Sequence, residues 1–134
     1  MTGVQTCALP IYHGVRILES TALTQRVRDL GMALTVCPLS NVKLCVFPTL
    51  AQHNLKQLLD AGLKATINSD DPAYFGGYLL QNFVETFAAL DLDASHAYTL
   101  ARNSLDASFA PAHAIAGWVG ELDAVFARHH ATSN

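Results

Sequence analysis

The chain has 134 residues, 51% of them hydrophobic and 14% charged, with a net charge of −3. The slightly acidic balance argues against a nucleic-acid partner, and no apolar run reaches the roughly 18 residues of a membrane span, so no membrane partner is expected either. Cys7, Cys37 and Cys45 follow neither a disulfide framework nor a zinc-knuckle spacing; Cys37 and Cys45 are expected as small core residues in a reducing cytoplasm.

Along the chain, residues 1–11 fit neither a helical nor a strand period. Residues 11–13 are the stump of a strand. Residues 17–30 form an expected helix with Leu18, Leu23, Val27 and Leu30 inward and Gly31 closing it. A strand follows over 33–37, then a polar turn at Ser40-Asn41 and a long loop over 41–51, punctuated by Pro48. A helix over 52–61 buries Leu55, Leu58 and Leu59 and ends at Gly62. The run 64–69 is a short buried strand. Helices are expected over 78–90, over 94–108 behind an Asp93 N-cap, and over 111–130 behind Pro111, with a frayed tail at 131–134. Helix and strand alternate, which implies parallel strands with right-handed crossovers and an α/β class.

Asn68-Ser69-Asp70-Asp71-Pro72 is the most informative stretch. Two adjacent carboxylates at a strand end are costly without a cation or hydrogen-bond donors. Neighbouring strand residues point to opposite faces, so Asp70 and Asp71 cannot share one job. One of them could bind a metal while the other reads a ligand. Alternatively the pair forms a turn in which an Asp N-caps the next helix.

His13-Gly14, Cys37-Pro38-Leu39-Ser40-Asn41, Ser69-Asp70-Asp71-Pro72 and Asn103-Ser104 with Ala107-Ser108-Phe109 together resemble the adenosine/adenine deaminase family of metal-dependent hydrolases. The resemblance covers residues 12–109. Leu44-Cys45-Val46-Phe47 and Tyr74-Phe75-Gly76-Gly77-Tyr78 look closer to the adenine deaminase branch, and the former could fill space left for ribose elsewhere. The implied fold is α/β, the C-terminal portion of a (β/α)8 TIM barrel with about its last three strands plus terminal helices. A whole barrel takes about 250 residues, so the missing N-terminal part of its own barrel counts as a partner. Residues 1–11 resemble a translated sequencing adapter, which makes 12–134 the expected native fragment.

The resemblance implies zinc as cofactor and a small-molecule purine as substrate. It makes Asp70 the metal ligand and holder of the attacking water, Asp71 the substrate-binding acceptor for the purine imidazole edge, and His13 the catalytic residue that orients the hydroxide. Ser40 and Asn41 support the site from their turn. His53, His96, His113, His129 and His130 are expected on solvated helix faces or ends. The family's His-x-His pair, a further histidine and a glutamate proton shuttle have no counterpart here. Catalytic zinc takes three protein ligands, so the chain alone is expected to be inactive. The parent is expected to hydrolyse adenine to hypoxanthine and ammonia. The alternatives are an adenosine deaminase, another metal-dependent amidohydrolase, or a complete small α/β interaction module.

Overall fold

Residues 10–132 are described by a computed structural model. Of residues 1–11, all but Pro10 and Ile11 lie outside the described residues, and so do Cys7, Ser133 and Asn134. Three parallel strands, β1 (Ile11–Tyr12), β2 (Ala33–Val36) and β3 (Lys64–Ile67), form one sheet in the order β1-β2-β3. Ile11 pairs with Leu34, and Leu34 with Ala65. Among the described residues seven α-helices accompany them: α1 (Thr21–Asp29), α2 (Pro38–Lys43), α3 (Leu55–Asp60), α4 (Pro72–Phe75), α5 (Leu79–Leu90), α6 (Ala94–Asp106) and α7 (Ala112–Thr132). β2 and β3 are buried at nearly every position because helices cover the sheet: Leu34, Val36, Ala65 and Ile67 are buried against Leu55 and Leu58 of α3 and Leu100 of α6.

The expected helix over 17–30 divides at Ser20. A 3-10 turn (Ile17–Glu19) precedes it, Ser20 is extended, and its Oγ accepts from the Leu23 N–H as the N-cap of α1. The apolar period of the sequence runs across that cap. Val27 is buried, but Leu23 and Leu30 are exposed, so the predicted inward face holds only in part.

The expected loop over 41–51 also needs correction. Pro38 at N1 starts α2, so Ser40 and Asn41 sit in a six-residue helix rather than a turn. Such a helix is too short for periodicity to reveal. A 3-10 turn (Leu50–Gln52) and an extended His53 delay α3 to Leu55. Gly31 and Gly62 close their helices with positive φ, as predicted.

Asp71 N-caps α4, as one of the two readings of the carboxylate pair expects, although the one-turn helix itself is not announced by any period. Asp93 caps α6 as expected, and His96 completes a capping box with it. Asn103 of α6 donates from Nδ2 to the Ala65 carbonyl at 2.8 Å, tying the helix to the central sheet. The tail expected to fray from 131 is helical through Thr132. Among the described residues, no helix is long and apolar enough to cross a membrane.

Candidate active site at the strand ends

The three strands run in one direction, so the segments leaving them emerge on one side of the sheet. His13 follows β1. Its N–H donates to the Thr35 carbonyl at 3.0 Å, extending the ladder by one step. Then His13 (φ +58°) and Gly14 (φ +67°) both enter the left-handed region and turn the chain away. A Cβ on Gly14 would lie 2.7 Å from Leu34 Cδ2, so glycine is required both by conformation and by space. The His13 side chain is left partly exposed above the strand ends.

β2 delivers Cys37, Ser40 and Asn41. Cys37 is buried and its thiol donates to the Thr35 carbonyl. Burial, reinforced by the Asp70 charge, pushes that thiol up to about 12, so it stays protonated near neutral pH. The first turn of α2 is fixed from outside. Asn82, fully buried in α5, accepts from the Leu39 N–H at 3.2 Å and donates to the Gly77 and Tyr78 carbonyls.

β3 delivers Asp70, also in the left-handed region at φ +59°. Its Oδ2 accepts from Ser40 Oγ at 2.7 Å and lies 3.7 Å from His13 Nε2. Asp71 is exposed and turned to another task. Its Oδ1 accepts from the Ala73 and Tyr74 N–H groups, both at 3.1 Å. The two carboxylates therefore divide, although not by strand alternation: β3 ends at Ile67, and the left-handed Asp70 turns the chain before Asp71 caps α4. Backbone strain at His13 and Asp70 is of the kind that persists where surrounding structure over-determines it.

His13, Ser40, Asn41 and Asp70 are thus brought together, with Asp71 next in the chain. One ligand atom each from His13, Cys37 and Asp70 lies within 4.8 Å of the others. Nitrogen, sulfur and carboxylate oxygen are the donor types zinc accepts. In donor chemistry the residues present fit part of a zinc site.

His53 corrects the sequence reading. It was expected on a solvated face, yet it is 4% exposed, under Phe47, with ring centroids 4.4 Å apart. Desolvation holds its pKa down at about 4. Its Nδ1 accepts from the Leu55 N–H, and its Nε2 meets Asn41 Oδ1. Nothing periodic marks His53, because it sits in the break between a 3-10 turn and α3. Asn82 was also missed; a polar residue amid Leu79, Leu80 and Phe83 was the available signal. Of the segments assigned to the free-base branch, Phe47 packs on His53 while Leu44 and Val46 are exposed. Phe75, Gly76 and Gly77 line an open cavity of about 380 Å³ with Leu39, Val42 and Lys43.

Comparison with known proteins agrees with this architecture. The adenosine deaminase family pattern matches residues 4–125. An adenine deaminase of Trichlorobacter lovleyi is 61% identical over 117 residues, which cover 87% of this chain and 34% of that protein. One of Albidiferax ferrireducens is 63% identical over 99 residues, covering 74% of this chain and 29% of that protein. The crystal structure of an adenine deaminase from Arthrobacter aurescens superposes with a TM-score of 0.83 at 43% identity, covering 85% of this chain and 35% of that one. A zinc-bound amidohydrolase from Burkholderia ambifaria shares the fold, with a TM-score of 0.81 at 21% identity over 92% of this chain and 35% of that one. The chain spans about a third of the length of the curated relatives it matches. Its three parallel strands and helices are a portion of the α/β barrel of those enzymes. The chain belongs to the adenosine deaminase family, and the relatives it resembles at 50–63% identity are adenine deaminases.

Proposed function

We propose that the complete protein containing this region is a zinc-dependent adenine deaminase that converts adenine to hypoxanthine and ammonia in the cytoplasm, as a step of purine salvage. The observation that carries this reading is the meeting of His13 and a Ser40-held Asp70 carboxylate at the ends of parallel strands. Asp70 would hold the zinc, whose Lewis acidity makes hydroxide available near neutral pH.

Each residue then has a task set by its surroundings. The Ser40 hydroxyl fixes the orientation of the Asp70 carboxylate. His13 directs Nε2 towards the same space and orients the attacking oxygen. Asp71 keeps Oδ1 on the α4 N-terminus and offers its second oxygen to the purine imidazole edge. In the net reaction a C–O bond forms at the purine carbon, the C–NH2 bond breaks, and ammonia leaves with a proton from water. The ring nitrogen also needs a proton carrier, and the glutamate that the family resemblance implies for that task has no counterpart in this sequence.

The test is steady-state deamination of adenine and adenosine by the barrel-length enzyme, with metal analysis. Adenine is expected to be preferred. Equal or better turnover of adenosine would sink the free-base assignment.

A further inference from the structure

Between α2 and α3 lies a chain of hydrogen bonds whose direction is set at one end by the backbone. The Leu55 N–H donates to His53 Nδ1 at 3.0 Å. A backbone N–H can only donate, so this nitrogen is bare and neutral His53 carries its proton on Nε2. That proton faces Asn41 Oδ1 at 3.1 Å. Asn41 is 2% exposed, so its amide cannot turn to water. With Oδ1 committed to His53, Nδ2 faces His13 Nδ1 at 3.2 Å. An amide nitrogen also only donates, so His13 Nδ1 accepts and the proton of its neutral ring sits on Nε2, the nitrogen beside Asp70.

We infer that Asn41 is a positioning residue that transmits the polarity of the Leu55 amide, through His53, to His13 and holds His13 in its Nε2–H tautomer. The opposite tautomer would turn a lone pair towards the Asp70 carboxylate and towards any oxygen held there. The relay's value to catalysis rests on the role proposed above for His13, whereas its hydrogen bonds do not. Asp70 alone could favour the same tautomer, so the test must separate the two influences.

The experiment is long-range 1H–15N correlation spectroscopy of 15N-histidine-labelled protein near pH 7.5, on the full chain and on a barrel-length relative with these residues. His13 and His53 should both show a bare Nδ1 and a protonated Nε2. Asp70→Asn should leave His13 unchanged, because the relay still sets it. The isosteric Asn41→Asp places an acceptor opposite His13 and should bring a proton onto Nδ1. Loss of the Nε2–H state in Asp70→Asn, or a bare Nδ1 retained in Asn41→Asp, would overturn the inference. In the barrel-length enzyme, Asn41→Asp should lower kcat by about 5- to 30-fold with KM held, the scale of one misdirected hydrogen bond. An unchanged kcat would overturn the positioning role. An enzyme inactive on adenine that keeps these tautomers would sink the functional reading and leave the relay standing.

Discussion

Acid should loosen this fold through His53. Both nitrogens of its neutral ring are engaged, Nδ1 with the Leu55 N–H and Nε2–H with Asn41. A second proton would set two donors against each other and leave a charge under Phe47. The folded pKa of about 4 lies below the ordinary 6.5 of an unfolded imidazole. Between these values the unfolded chain binds more protons than the folded one. Stability is therefore fullest above pH 6.5 and falls as pH drops, by about 1.4 kcal/mol per pH unit. Across the whole window the loss approaches about 3 kcal/mol, a large share of a small domain's stability. Urea unfolding from about pH 8 to about pH 4.5 would measure it against His53→Gln, whose amide can serve the same two partners without titrating. The unsubstituted chain should lose about 2–3 kcal/mol more than the variant across that range. Parallel stability curves would refute the reasoning.

Three further outcomes are expected. In the barrel-length enzyme, Asp70→Ala should remove zinc and activity together, while Asp71→Asn should keep zinc and the α4 cap yet lose about 10- to 150-fold in rate, the worth of one charged hydrogen bond of roughly 1.5–3 kcal/mol; zinc loss in Asp71→Asn, seen by metal analysis, would reverse the division of labour. The 134-residue chain alone should release no ammonia from adenine or adenosine, since its sequence has no His-x-His pair; chelator-sensitive release would contradict this. Gly14→Ala should cost about 2–3 kcal/mol in urea unfolding, from left-handed strain plus the approach to Leu34 Cδ2; an unchanged midpoint would show that the turn relaxes freely.

The features legible in the sequence were those with a local signal. Apolar runs at 33–37 and 64–69 marked β2 and β3, and alternation with helices marked them as parallel. Asp70 could be placed because it sits where the second run stops, and His13 because it ends the strand stump at 11–13. The carboxylate pair left two readings open, and the structure contains elements of both: Asp71 is an N-cap, and Asp70 turns to Ser40 and His13. What escaped was tertiary. No spacing connects His53 to Asn41 or Asn82 to Leu39, because each bond depends on how α2 and α5 pack. The short helices α2 and α4 escaped for another reason: one or two turns carry too few residues to establish a period, and only Pro38 and Pro72 announced them.

The left-handed backbone at His13 and Asp70 narrows what mutagenesis can say about either position. Asn, Asp, His and Gly enter that region with least strain, whereas alanine or a branched residue carries a conformational penalty unrelated to chemistry. A saturation library read only by survival would merge the two effects and rank these sites as uniformly intolerant. Asparagine at both positions separates them, because it matches the backbone while changing the donors. The comparison that isolates chemistry at position 70 is therefore Asp against Asn, with Asn against Ala isolating the turn.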